Sequence, residues 1–225
     1  MFSRITGFIL RPIARFVRYA VLKLMKKIRR PNDDRPIRAT SEYLLDEIIL
    51  LSGFRIFQDA QFRKLASFGK LSIKEHDRIF NELEVSGMCL LFFYLQSMRP
   101  LMKPEDYHFW QDVELRVPEQ FEQSLMGLGV DSANAKLFKQ LIAIRHEEYQ
   151  KLIKNVWEAS NAAKPEFQEL PEEMKYLGAA IQSVAIGTAN HIKRGKLIKN
   201  DHLTGFLIDW LMKLRRQMHR FVIRL

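Results

Sequence analysis

Residues 72–98 read SIKEHDRIFNELEVSGMCLLFFYLQSM, and this stretch decides the fold class. Ser72-Ile-Lys-Glu75 has the form of a capping box, in which hydroxyl and carboxylate each satisfy a backbone donor that the first helical turn leaves orphaned. The spacing predicts one long helix from there to about Met98, ended before Pro100. Val85 to Leu95 is almost wholly apolar. Spanning a bilayer needs about 20 such residues, and this run has about half that number. It reads as the central helix of a packed core.

Helices follow on its C-terminal side. Lys103-Pro104-Glu105-Asp106 starts one with proline at its first position and acids in its first turn. Pro118 is expected to kink or split it, and Gly127 and Gly129 to end it. Asp131 or Ser132 caps a helix of nearly thirty residues reaching Ser160, and Ala162–Leu170 reads as a loop. Pro171-Glu-Glu173 opens a helix with a run of small residues (Gly178, Ala179, Ala180, Ser183, Ala185, Gly187, Ala189), as close helix packing requires, and Gly195 stops it. Asp201 or Thr204 begins the last helix, with Phe206, Leu207, Trp210, Leu211, Leu214, Met218 and Phe221 on one face. Lys213, Arg216, Arg220 and Arg224 lie largely opposite.

On the N-terminal side, Thr40 or Ser41 is expected to cap a helix carrying Leu44, Leu45, Ile48, Ile49 and Leu51 and ending near Gly53. Phe54, Phe57, Phe62, Leu65 and Phe68 suggest a second short helix closed by Gly69, its aromatics packing under the N-terminal arm or extending a lipid-facing surface. No strand alternation, Gly-rich strand-to-helix junction or internal repeat is present. The expected fold is all-α: an irregular helical bundle of about seven helices, preceded by a basic amphipathic N-terminal helix. The expected organisation is an amphipathic helix over 1–30, a linker over 31–38 between Pro31 and Pro36, and a single α-helical domain over 39–225.

At 225 residues, with 47% hydrophobic and 28% charged, the chain can bury a sizeable core. Its single cysteine, Cys89, excludes an internal disulfide, fits a reducing compartment and reads as a small buried hydrophobe. The charge is unevenly placed. Residues 1–38 carry eleven Lys/Arg against two Asp/Glu, +9; residues 39–192 carry sixteen against twenty-two, −6; residues 193–225 carry nine against two, +7. The two ends hold the positive excess, which favours contact with an anionic surface.

Residues 1–30 contain nine Lys/Arg and no acid. On a helical wheel Arg4, Arg11, Arg15, Arg18, Lys23, Lys26 and Lys27, with Arg29 and Arg30, gather on one half. Phe2, Ile9, Ile13, Phe16, Val17, Ala20, Leu24 and Ile28 cluster on the other. Phe8, Ile9, Ile13, Phe16 and Val17 are more apolar than a nucleic-acid tail requires. Insertion across a bilayer would set three Arg and Lys23 at roughly 2.5–3.5 kcal/mol each against about 0.3–0.6 kcal/mol returned per apolar residue. Lying on an anionic leaflet avoids that cost and gains about 1 kcal/mol per basic residue. An Arg-rich, acid-free amphipathic start is also the pattern of an organellar transit peptide, and a third alternative packs the arm on its own body.

For chemistry, the conspicuous residue is Arg145. On the wheel of its helix it falls at the centre of the face formed by Phe138, Leu141, Ile142, Tyr149, Leu152, Ile153 and Val156, with Glu148 and Tyr149 flanking. An arginine at a core position is nearly always paired. A buried polar cluster of Arg145, Glu148, Tyr149, Glu84 and His76 is expected, either fixing helix register or gripping an anion bidentately. A di-iron bundle needs two Glu-x-x-His motifs plus two further Glu; only Glu105-x-x-His108 occurs, and the six histidines are scattered. Phosphate-loop and nucleophile-elbow patterns are absent. No catalytic residue, metal or cofactor is therefore expected.

The expected function is a non-enzymatic peripheral membrane binding, scaffolding or assembly protein, docked through its N-terminal helix on an anionic surface at the cytoplasmic side of a membrane. The alternatives are an accessory subunit of a larger complex, whose N-terminal helix binds a protein partner, and a nucleic-acid binder using its basic ends, including His191–Lys199. Import would instead place it in an organelle.

Overall fold

A computed structural model describes residues 21–25, 34–163, 165–196 and 201–225. Arg4, Phe8, Ile9, Arg11, Ile13, Arg15, Phe16, Val17, Arg18, Lys26 and Lys27 lie outside them, as does the rest of the arm but for one helical stretch. The described residues are all-α, with no strand. In chain order the helices are α1 (Arg35–Tyr43), a π-helical segment (Leu44–Leu50), α2 (Leu51–Gln58), α3 (Ala60–Leu65), α4 (Ile73–Met98), α5 (Pro104–Gly127), α6 (Ser132–Ala163), the short α7 (Pro165–Gln168), α8 (Glu172–Ile192) and α9 (His202–Val222).

α4 occupies the centre. The Ser72 hydroxyl accepts the Glu75 backbone N–H at 3.4 Å. The Glu75 carboxylate turns instead to Arg78 and Arg194, which hold it down at about 2. From Glu82 to Leu95 every residue of α4 is buried, because α8, α6, α9, α2 and α5 all pack around it. Asp131 and Asp201 accept the backbone N–H groups of Asn134 and Leu203 and so start α6 and α9. Gly129 (φ +90°) and Gly195 (φ +75°) take left-handed conformations after α5 and α8, which glycine adopts without a Cβ clash.

Several boundaries differ from expectation. α1 begins at Arg35, so residues 35–38 of the expected linker are helical. Thr40 and Ser41 are buried inside this helix, and Ser41 donates to the Ile37 carbonyl rather than capping. Pro36, at the start, is pre-shaped for a first turn, a signal outweighed in the sequence by the two hydroxyls. The rod continues through the π-helical segment and past Gly53 to Gln58, where extended Asp59 breaks it and caps α3 through the Phe62 N–H. α5 runs unbroken through Pro118, and part of the expected Ala162–Leu170 loop forms α7.

The Phe-rich stretch forms an aromatic cluster. Phe57 meets Phe68 and Phe80 edge-on at 5.2 Å, Phe62 reaches Phe206 of α9, and Arg63 lies 4.4 Å over the Phe68 ring. These aromatics mostly pack inward; Phe54 stays half-exposed. α1, the π-helical segment, α2 and α3 run antiparallel to α9. Tyr43 stacks on Phe221, the Trp210 indole N–H donates to the Ser52 hydroxyl at 2.9 Å, and Lys193, at the C-terminal end of α8, reaches the Leu65 carbonyl.

Within the small-residue run of α8, Gly187 faces the Tyr149 ring, which any added Cβ would strike; at Gly178 a Cβ meets only Phe167 at 3.8 Å. Gly187→Ala is expected to destabilise the protein by about 1–3 kcal/mol through overpacking, whereas Gly178→Ala should be neutral or stabilise by up to about 1 kcal/mol. Urea titrations of the two variants check this; equal effects would show that the Tyr149 contact does not set the α6–α8 distance.

Candidate functional site

A polar cluster lies where α4, α6 and α8 meet. α6 carries Arg145 into a mostly apolar interface, and α4 supplies its partner. Arg145 Nε and Nη2 donate to the two oxygens of Glu82 at 3.0 and 2.7 Å, a bidentate pair. Nη1 donates to Glu148 at 3.3 Å. His191, at the end of α8, donates its Nε2–H to the Glu148 carboxylate at 2.9 Å. The side chain of Arg145 is 16% exposed and that of Glu82 5%. Burial opposes the guanidinium charge, but the hydrogen bonds and negative charge of Glu82 outweigh it and raise the Arg145 pKa.

A hydroxyl group continues the cluster inward. Ser86 and Thr188 oxygens lie 2.6 Å apart, and the fully buried Tyr149 hydroxyl is 3.4 Å from each. Ser86 also reaches the Glu82 carbonyl, and Thr188 the Val184 carbonyl. Burial pushes the Tyr149 phenol well above its ordinary range, and does the same to the neighbouring Cys89 thiol.

Two of the expected members lie elsewhere. His76 stacks on Phe68 and reaches its carbonyl at 3.1 Å, in the aromatic cluster. Glu84 sits against Gly53 of α2, 1% exposed, with neither carboxyl oxygen hydrogen-bonded. Residues two apart on a helix point to nearly opposite sides, so Glu82 faces α6 while Glu84 faces α2. Because α4 is buried on both sides here, a helical wheel could not choose between them. His191, Ser86 and Thr188 are further members that sequence reasoning missed. Thr188 and His191 share one face of α8 by their i, i+3 spacing, but only tertiary packing sets that face against Arg145.

Chemically the arrangement is closed. The guanidinium is taken up by two carboxylates, so an external anion could bind it only by displacing Glu82 or Glu148. A cavity of about 440 Å³ adjoins Glu82, lined also by Lys74, Asp77, Arg78, Asn81 and Phe138. Arg78 is committed to Glu75 and to the last carbonyls of α8 at His191 and Ile192. Among the described residues no group of three or more His, Cys, Asp or Glu is placed to hold a metal ion.

The outer surface differs in kind. Many arginines of the body are matched to a carboxylate, as Arg38 is to Glu42, Arg99 to Glu114 and Arg116 to Glu119. On α9, Lys213, Arg216 and Arg220 stand exposed, as does Arg224 two residues past its end, and none of the four forms an ion pair among the described residues. At 100° per residue the three helical cations fall within about 60° of arc, opposite the face that buries Leu207, Leu211, Leu214 and Met218.

Of the arm, residues 21–25 form a helical stretch. Lys23 is exposed, and so are Val21 at 48% and Leu24 at 58%, while Leu22 is 2% exposed and joins the core. Leu22 belongs to the cationic half of the wheel, so this turn is seated through the side opposite its expected apolar face. Among the described residues no helix is long and apolar enough to cross a membrane.

Compared with protein-family models, curated proteins and solved structures, the chain matches none.

Proposed function

We propose that this protein is a non-enzymatic docking or scaffolding protein of an anionic membrane surface, contacted by the amphipathic segment 1–30 and by the cationic stripe of α9. The observation that carries the proposal is that stripe: Lys213, Arg216 and Arg220 exposed at helical spacing, with Arg224 just past the helix end, and none of them ion-paired among the described residues. Near an anionic leaflet each contributes about 1 kcal/mol before screening. The seating of residues 21–25 supports the same reading, because anchoring through Leu22 leaves Leu24 outward. The proposed location is peripheral, at the cytoplasmic side of a membrane.

The test is co-sedimentation of the full chain with vesicles of phosphatidylcholine alone or with phosphatidylserine added. Binding is expected only with the anionic lipid and should weaken with salt. Reversing Lys213, Arg216, Arg220 and Arg224 to Glu, or Arg11, Arg15 and Arg18 to Glu, should each weaken it more than tenfold. Charge reversal is a cleaner test than deleting the arm, which would strip Leu22 from the core. Binding unchanged by both sets, or no preference for anionic lipid, would overturn the proposal. Duplex DNA supplies the rival surface: DNA binding with a steep salt slope and no vesicle binding would make the chain a nucleic-acid protein instead.

A further inference from the structure

A cleft of about 1010 Å³ between α2–α3 and α9 is lined by Asp59, Asp201 and Asp209 as well as by Arg55, Lys64 and Lys213, so it selects neither sign of charge. A smaller cavity, of about 300 Å³, does select. It lies where the C-terminal end of α4, the turn Arg99–Leu101, the later part of α6 and the start of α8 meet. Two half-buried aromatic residues line it, Trp157 of α6 and Tyr176 of α8, with Gln96 and Pro100 beside them. The charged residues that line it are both acids, Glu172 and Glu173.

The aromatic residues are held in place by the fold itself. The Tyr176 hydroxyl donates to Gln96 Oε1 at 2.8 Å, and the Tyr176 ring meets Phe93 edge-on at 6.5 Å. Trp157 meets Phe167 edge-on at 6.1 Å. Lys175 donates to Glu172 at 2.9 Å, but Lys175 is buried and does not line the cavity. Glu173 forms no ion pair among the described residues. Glu172, Glu173 and Lys175 together leave one net negative charge. Both acids stand in the first turn of α8, where they also serve its positive end, a role that makes no demand on the aromatic residues.

An anion finds no cation on these walls. A hard metal ion needs several converging oxygen ligands, and among the described residues no group of three or more His, Cys, Asp or Glu is placed to hold one. A primary ammonium is a compact, strongly hydrated charge and would lose water against aromatic walls. A quaternary ammonium group suits them better. Its methyl groups need no hydrogen-bond acceptor, and Trp and Tyr rings attract it, as does a nearby carboxylate. The volume is at the lower end of the roughly 300–1,000 Å³ typical of ligand pockets, which favours a small molecule over a helix.

We infer that this cavity binds a small soluble quaternary ammonium ion of the choline class, with Trp157 and Tyr176 as aromatic walls and Glu173 as counter-charge. None of these residues belongs to the cationic stripe of α9 or to the Arg145 cluster, so the inference stands apart from both.

The test is isothermal titration calorimetry of the full chain with three compounds. They are choline, its uncharged isostere 3,3-dimethylbutan-1-ol, and ethanolamine, whose ammonium carries no methyl groups. Saturable choline binding is expected, at least tenfold tighter than either comparison compound. Trp157→Leu, which keeps an apolar wall without the ring, should weaken it at least tenfold, and Glu173→Gln at least threefold. Far-UV circular dichroism checks the fold of both variants; Glu173→Gln changes only a charge and carries the test alone if Trp157→Leu does not fold. Absence of saturable choline binding, equal binding of either comparison compound, or binding indifferent to the substitutions overturns the inference. Phosphocholine binding more tightly than choline also overturns it, because that would assign the cavity to a lipid headgroup.

Discussion

Arg145→Leu is expected to destabilise the protein by about 3–5 kcal/mol, and adding Glu82→Leu to recover most of that loss. Removing the guanidinium leaves Glu82, with 5% of its side chain exposed, without the two hydrogen bonds that compensate its desolvation. Glu148 loses a partner too, but its side chain is 34% exposed and keeps His191, so its share is the smaller. Replacing a buried pair by apolar residues of similar volume is often neutral or stabilising, which is why the double variant should approach the parent. Urea unfolding at pH 7 with an unchanged m-value measures the effect. A single-variant loss below about 1 kcal/mol would show that the pair is hydrated and does not hold α4 to α6. If the recovered double variant still docks on vesicles, the membrane contact does not run through the cluster, whose part is then to fix helix register.

The second large effect concerns Glu84 and pH. Its carboxyl is buried against Gly53 with no hydrogen-bond partner, and burial alone raises its pKa well above the ordinary value of 4.5. The folded protein therefore keeps this proton after the unfolded chain has lost it. The stabilisation is complete below pH 4.5 and is lost as pH climbs towards the folded pKa, at about 1.4 kcal/mol per pH unit over that interval. Glu84→Gln removes the titration while keeping the shape. The variant is expected to match the parent near pH 4.5 and to exceed it increasingly at pH 6 and 7.5. Other carboxylates act in the opposite sense: Glu75, held down at about 2 by Arg194 and Arg78, adds stability above its unfolded pKa that is lost on acidification. The difference between parent and variant isolates Glu84. Parallel pH profiles would show that water or a neighbour satisfies the carboxyl.

Placed side by side, Glu82 and Glu84 mark the boundary between what was legible in the sequence and what was not. A buried arginine at position 145 demands an acid, and that demand was readable. Which acid answers it depends on how α4 is rotated against α6, and an all-round buried helix gives no solvent side from which to infer rotation. The same limit explains His76, whose proximity to an apolar face meant contact with Phe68 and not with Arg145. Leu22 shows it again in the arm: a wheel finds the apolar side, but the body took the other.

The sequence by itself determined that the chain is all-helical, that α4 is its centre, and where α4, α6, α8 and α9 begin or end. Each of these rests on caps, glycines and periodicity within a few residues. It also determined the concentration of positive charge at the two ends. Only the tertiary structure decided that Arg145 pairs with Glu82, that Glu84 is left without a partner beside Gly53, and that α2–α3 and α9 enclose a cleft. Those outcomes depend on residues thirty or more apart along the chain, or on opposite sides of one helix. Their meeting is set by the packing of whole helices, which no local pattern encodes.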